Sequence, residues 1–137
     1  MAFLLDTNVI SELRKKQRCD PNVAKWQSGV SMDSCYLSVI TLMEIIHGIQ
    51  STGKKDADFA KLLRDWYQHQ VLPGFKDRIL VVSPKNAEQT GEVLSIRTRS
   101  TADCLLAGTA LVHGLTLVTR NSSDFSDTGV KLLNPWL

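Results

Sequence analysis

Short apolar runs alternate along this chain with longer stretches whose apolar residues recur every three or four positions. The short runs have the length and continuity of strands buried on both faces, and the longer ones have helical period. Phe3–Asp6 is the first predicted strand, followed by a helix to about Lys15. Asp20-Pro21 supplies an N-cap and a first-turn proline for a second helix ending near Gly29. Cys35–Val39 is the second strand. A helix from Thr41 follows, carrying Leu42, Ile45, Ile46 and Ile49 on one stripe and stopping by Gly53. A more polar helix covers roughly Asp56 to His69, and Pro73-Gly74 breaks it. Ile79–Val82 is the third strand, and Ser83-Pro84 opens the next helix through Ala87, Gly91 and Leu94. The helix from about Thr101 to His113 is apolar nearly all round, which predicts burial, with small residues permitting close approach and Gly114 closing it. Leu115–Val118 is a strand, Asn121–Phe125 a short helical turn, and Val130–Leu133 a last edge segment. This alternation predicts an α/β fold with a central parallel sheet and right-handed crossovers.

The chemistry suggested by this pattern lies where strands end. In an open α/β sheet, ligands gather outside the carboxyl ends of the strands. Asp6 falls at such a point, and Glu44, Asp103 and Asp124 recur near helix starts that the topology could bring to the same edge. Four carboxylates sharing an edge repel one another unless a hard cation with oxygen ligands lies between them. A purely structural alternative stands beside this. Thr41-x-x-Glu44 and Ser100-x-x-Asp103 have capping-box spacing, and Asn121-x-x-Asp124 has its general shape. Asp6 has no equivalent capping role in this reading. Helix dipoles would favour the ionised carboxylates that a cation needs.

Composition narrows the field. One domain over residues 1–137 is expected, with 43% hydrophobic residues enough to build a core. No apolar run reaches the roughly 20 residues that cross a bilayer, and no signal-peptide pattern opens the chain, so a cytoplasmic location and no membrane partner are expected. Cys19, Cys35 and Cys104 contain no CxxC pair, which predicts free thiols. His47, His69 and His113 lack zinc-site spacing; no glycine-rich phosphate loop occurs; Ser31, Ser38 and Ser122 lack a nucleophile elbow. Trp26, Trp66 and Trp136 read as core or interface anchors. Net charge is only +2, yet basic clusters occur at Arg14–Arg18, Lys54-Lys55 and Arg97-Thr98-Arg99, where either a solvated face or a polyanion contact is possible.

Taken together, several blocks carry a family resemblance. Leu4-Leu5-Asp6-Thr7-Asn8-Val9-Ile10-Ser11-Glu12, Ser38-Val39-Ile40-Thr41-Leu42-Met43-Glu44-Ile45, Ala102-Asp103 with Ala107-x-Thr109-Ala110, His113-Gly114-Leu115-x-Leu117-Val118-Thr119-Arg120-Asn121-x-x-Asp124-Phe125, and Leu133-Asn134-Pro135-Trp136 resemble PIN-domain toxins of the VapC type over nearly the whole chain. The resemblance implies a three-layer α/β/α sandwich and Mg²⁺-dependent endoribonuclease activity, with Mn²⁺ a possible substitute. It also implies a homodimer, inhibition by a cognate antitoxin, and DNA contact only through that antitoxin. By motif match Asp6, Glu44 and Asp103 are the principal catalytic and metal acids, with Asp124 the fourth. Thr7, Asn8, Thr119 and Asn121 are expected to orient them, while Arg120, Arg14 and Lys15 are expected to meet RNA phosphates. Phe59, Leu63 and Trp66 are expected to form an apolar face for the dimer. The chain departs from the family pattern in a shorter approach to Asp103, where Arg97-Thr98-Arg99-Ser100-Thr101 stands.

Two other classes compete with this reading. One is a PIN-like binding protein with weak or no nuclease activity, acting mainly in an antitoxin–DNA repressor complex. The other is a phosphatase or response-receiver-like domain, which Thr119-Arg120-Asn121 disfavours by standing where a late lysine is required.

Overall fold

The structure is a computed structural model that describes all 137 residues. Five strands, β1 (Phe3–Leu5), β2 (Cys35–Ser38), β3 (Ile79–Leu80), β4 (Thr116–Val118) and β5 (Leu132–Leu133), form one parallel sheet in the order β3-β2-β1-β4-β5. Alternation along β1 explains the layering, because successive strand side chains point to opposite faces. Phe3 and Leu5 enter one buried cluster with residues of helices α1 (Thr7–Leu13), α3 (Val39–Gly53) and α4 (Ala57–Trp66). Leu4 enters the other, with residues of α6 (Pro84–Leu94) and α7 (Thr101–His113). The expected three-layer α/β/α arrangement is therefore present, with α2 (Pro21–Ser28) packed beside the first cluster through Trp26, whose ring meets Phe3 edge-on at 5.4 Å. No helix is long and apolar enough to cross a membrane.

α6 and α7 approach closely because of one residue. A Cβ added at Gly108 would lie 2.4 Å from Thr90 Oγ1 and 3.1 Å from both the Thr90 backbone nitrogen and Asn86 Oδ1. The contact also carries buried polar bonds: Asn86 Nδ2 donates to Thr109 Oγ1, and Thr90 Oγ1 donates to the Asn86 carbonyl at 2.8 Å. α7 ends as expected at Gly114, whose φ of +64° is left-handed.

Several boundaries differ from expectation, each for a physical reason. α3 begins at Val39 with Ser38 as its N-cap, its hydroxyl accepting from Ile40 N–H at 3.0 Å. Thr41 is thus inside the helix, and its Oγ1 is buried with no hydrogen-bond partner. β3 stops at Leu80 because β2 offers partners only as far as Ser38, leaving Val81 and Val82 exposed. The helix expected to run to His69 is α-helical only to Trp66; a π turn over Tyr67–Val71 then leads into α5 (Leu72–Gly74). Pro73 has no N–H and its ring crowds the preceding turn, so the wider turn admits it.

Candidate active site

The order of the strands locates the site. After β3 the chain returns to the opposite side of β1 to lay down β4, so the topological switch point lies between β1 and β4. Asp6 follows β1 and Thr119 follows β4, and the two meet: Thr119 Oγ1 donates to Asp6 Oδ2 at 2.8 Å, and Asp6 N–H donates to the Val118 carbonyl at 2.9 Å. Asp6 is also the N-cap of α1, with Oδ1 accepting from Thr7 N–H at 2.7 Å. This corrects the expectation that Asp6 has no capping role. Asn8 Nδ2 reaches Asp6 Oδ2 at 3.4 Å, and Thr7 Oγ1 donates to Glu44 Oε1. Ser100 caps α7 as expected, accepting from Asp103 N–H at 3.1 Å.

Asp6 is buried at 8% exposure. Loss of hydration raises its carboxyl above the ordinary 3.8, against hydrogen bonds from Thr119 and Thr7 N–H that lower it; the charges of Glu44 and Asp103 raise it further. Desolvation thus outweighs the bonds from the Thr119 hydroxyl and Thr7 N–H, and the α1 N-terminus only partly offsets it. The charges of Glu44 and Asp103 thus both bear on Asp6. Asp124 is exposed, and its charge is not among those acting on Asp6. No three His, Cys, Asp or Glu side chains form a closed metal-binding group. A small hard cation keeps several of its waters and needs only one or two carboxylates directly, so the acids around Asp6 need not close on it as a group. A buried carboxylate strained by neighbouring acids is the donor such a cation relieves.

Asn121 behaves differently from its expected role as a cap. Its side chain makes no capping bond to the turn Ser122–Phe125; instead its N–H donates to Thr119 Oγ1 at 3.1 Å. Thr119 therefore links Asp6 to the Asn121 turn through one hydroxyl.

The basic residues divide into free and engaged. Lys15 pairs with Glu12 at 3.0 Å, and the Arg14 guanidinium lies 5.5 Å above the Phe59 ring. Arg120 forms no ion pair within 4.0 Å and stacks 5.2 Å from the Trp136 ring centroid. Arg97 and Arg99 are not a free polyanion surface. Arg97 Nε and Arg99 Nη2 bind the two Asp127 oxygens at 2.7 and 2.8 Å, and both guanidinium groups donate to the Asp124 carbonyl, at 2.8 and 3.0 Å. The unusual approach to Asp103 is thus a clamp fastening that segment to the Asp124 turn. Asp127 is the residue whose role the sequence concealed, since nothing local pairs it with arginines about 30 positions away.

Beside Glu44, a groove of about 280 Å³ runs between α1, α3 and α4, lined by Thr7, Arg14, Ile45, Phe59, Leu63 and Trp66 among others. Leu63 and Trp66, expected on an outward dimer face, pack partly buried against the first core cluster and wall this groove. The three cysteines are free, as expected.

A switch-point acid cluster on a parallel sheet of this order is the arrangement of a PIN domain, and a family model described as the PIN domain matches residues 3–131; the chain belongs to that family. Its relatives are of the VapC toxin kind anticipated from the motifs. It is 35% identical to plasmid stability protein StbB of Pseudomonas syringae pv. tomato, over 98% of each chain. It is 34% identical to toxin FitB of Neisseria gonorrhoeae over 98% of each, and 32% identical to VapC ribonuclease Y4jK of Sinorhizobium fredii over 98% of this chain and 97% of that one. Among solved structures, FitAcB from Neisseria gonorrhoeae matches with a TM-score of 0.88 at 30% identity, covering 98% of both chains. A structure of FitAB bound to an IR36 DNA fragment matches with a TM-score of 0.87 at 28% identity, over 98% of this chain and 96% of that one.

Proposed function

We propose that this protein is the toxin of a toxin–antitoxin pair, an endoribonuclease that cleaves RNA phosphodiesters with Mg²⁺ or Mn²⁺. The observation that carries the reading is Asp6: a buried carboxylate at the switch point, set against the charges of Glu44 and Asp103 and steadied by Thr7, Asn8 and Thr119. Asp6, Glu44 and Asp103 would hold the cation, one or two of them directly and the rest, with the exposed Asp124, through its waters. When bound, the cation would lower the pKa of its water and offset charge developing on the phosphate. Thr7 fixes the Glu44 carboxylate and Thr119 fixes Asp6, so neither acid must reorganise as charge builds. Arg120 beside them, with Arg14 and Lys15 along α1, would take the neighbouring phosphates; Arg97 and Arg99 serve the fold.

The partner follows from the likeness to toxin FitB and to the structure of FitAB bound to a DNA fragment. The groove that ends at Glu44 suits an antitoxin segment with apolar side chains, and a guanidinium at its end would sit among Asp6, Glu44 and Asp103. Any DNA contact would pass through that antitoxin. Assembly as a homodimer rests on the family resemblance, since the helix face expected to carry it is turned partly inward. The test is incubation of antitoxin-free protein with total RNA, with and without Mg²⁺ or Mn²⁺, followed by mapping of the cut ends. Cleavage that requires the cation and vanishes in Asp103→Asn supports the reading; metal-independent cleavage, or none, overturns it in favour of a binding protein.

A further inference from the structure

Arg14 and Arg120 both lie over an aromatic ring with their guanidinium edges unbonded, but only Arg120 has its backbone tied to the side chain that reaches Asp6. Arg97 through Nε and Nη2, and Arg99 through Nη1 and Nη2, bind Asp127 and the Asp124 carbonyl, and Arg78 spends Nε and Nη2 on the carbonyls of Cys35 and Gly74 at 3.0 and 2.6 Å. Arg120 is fixed by its flat face and its backbone, while its guanidinium edge makes no hydrogen bond to the protein. Its N–H donates to Asn8 Oδ1 at 3.3 Å, and the same Asn8 side chain reaches Asp6 Oδ2 at 3.4 Å. Its carbonyl accepts from Asn134 Nδ2 at 3.1 Å. Asn134 Oδ1 accepts from Trp136 N–H at 2.9 Å, and the Trp136 carbonyl accepts from Asn22 Nδ2 at 2.8 Å, which ties the turn to α2. The Trp136 ring then lies under the guanidinium. The acid nearest in charge, Glu12, is satisfied by Asp20 N–H and Lys15 Nζ. An arginine stacked on an indole keeps all its edge donors for a planar or tetrahedral oxyanion, with less rotamer freedom left to lose on binding.

We propose that Asn134 and Trp136 are positioning residues that hold Arg120 at a fixed offset from Asp6 to receive an RNA phosphate beside the scissile one. The chain Asp6–Asn8–Arg120–Asn134–Trp136 sets that offset, so the C-terminal turn belongs to the substrate site rather than to the packing alone. This rests on the reading of the protein as a ribonuclease, but it concerns phosphate binding and is read without catalysis.

The test is binding of a fluorescent single-stranded RNA oligonucleotide by anisotropy in EDTA, from 50 to 200 mM salt, for wild type, Arg120→Gln, Trp136→Phe, Trp136→Leu and Arg120→Gln/Trp136→Leu. Arg120→Gln should weaken binding about tenfold and flatten the plot of log affinity against log salt by roughly 0.7, the share of one single-strand phosphate contact. Trp136→Leu should weaken binding roughly two- to five-fold, the strength of an exposed cation–π contact, and Trp136→Phe should recover most of that. In the Arg120→Gln background, Trp136→Leu should cost nothing more. Melting temperatures by circular dichroism identify any variant that is unfolded, and Trp136→Phe keeps an aromatic in place should Trp136→Leu be one. Equal loss from Trp136→Leu with and without Arg120, or an unchanged salt slope in Arg120→Gln, overturns the proposal. If wild type binds RNA with this coupling yet cuts nothing with Mg²⁺, the ribonuclease reading fails and the positioning role stands.

Discussion

Asp6→Asn should remove cleavage and yet make the protein more stable at neutral pH. The hydrogen-bond balance can be worked from the site. An asparagine with Oδ1 toward Thr7 keeps the 2.7 Å cap, since Asn and Asp are about equally good there. Its Nδ2 then faces Thr119, whose hydroxyl must accept instead of donate. A hydroxyl has two lone pairs, and Asn121 N–H uses one of them, so the bond survives with its polarity reversed. The 3.4 Å contact from Asn8 is lost, and the buried Thr119 hydroxyl proton loses its acceptor, each costing on the order of the ~0.5–1.5 kcal/mol of a typical hydrogen bond. Against this, the substitution removes a charge whose burial, together with Glu44 and Asp103, opposes ionisation, and each unit of such a rise is worth about 1.4 kcal/mol. The electrostatic relief is expected to outweigh the lost bonds, so the variant should melt above wild type at neutral pH.

The pH dependence carries a definite sign. The folded Asp6 carboxyl titrates above its ordinary 3.8, so the native state binds this proton more tightly than the unfolded chain. Wild type therefore gains stability as pH falls through that raised value toward 3.8, and the advantage of Asp6→Asn is widest above it and closes below. Urea denaturation of both proteins in EDTA, from pH 7.5 down to 4, reads this directly. Adding Mn²⁺ at pH 7.5 should then stabilise wild type by more than the variant, through preferential binding to the folded state. A variant less stable than wild type in EDTA at pH 7.5, or a gap that widens on acidification, would refute the electrostatic account of the site.

Asp124→Asn should raise the Mg²⁺ concentration for half-maximal cleavage with little change in melting temperature, whereas Asn121→Ala should be nearly neutral in stability because its side chain caps nothing. A loss of about 1 kcal/mol in Asn121→Ala, the worth of a cap, would contradict that assignment. Gly108→Ala should destabilise by ~1–3 kcal/mol in chemical denaturation, the overpacking at Thr90 exceeding the ~1 kcal/mol gained in helix propensity, and an unchanged midpoint would mean that α6 and α7 separate freely. Thr41→Val should stabilise by roughly 1 kcal/mol, because it replaces a buried hydroxyl without a partner by a methyl of the same shape; a destabilised variant would reveal a bond to that hydroxyl. Hydrogen bonds from Arg99 and Arg97 hold the Asp127 carboxyl below its ordinary 3.8, so the clamp's contribution is present above that value and lost as pH falls through the lowered one. Asp127→Asn should accordingly lower the melting temperature at pH 7 and show a smaller loss of stability than wild type on acidification below about pH 4.

What the sequence made legible was whatever two adjacent levels of local pattern agreed on. Asp20-Pro21, Ser83-Pro84 and the His113-Gly114 stop each combine a periodic apolar stripe with a residue of fixed backbone preference, and all three boundaries stand where expected. Ser38 and Thr41 show why the same rules fail elsewhere: both are acceptable caps three residues apart, and the choice is made by the Ser38 to Leu80 register, which no local window contains. The acids were found for a related reason. An acid closing an apolar strand is conspicuous in any window, but which acids act on one another is decided by strand order, and β1 neighbours both β2 and β4 only because the chain reverses direction after β3. Asp127 is inconspicuous by itself, and Asn134 and Trp136, although they stand out as a block, take their roles, like Asp127, from arginines at distant or turned-back positions. The arginines themselves illustrate the limit best. Arg97, Arg99 and Arg120 are equally basic in sequence, and the physical distinction between a clamp and a phosphate site is whether the guanidinium edge or only its face is engaged by the fold. That distinction exists only once the tertiary partners are in place, which is why a basic cluster near a catalytic acid predicts charge but not its use.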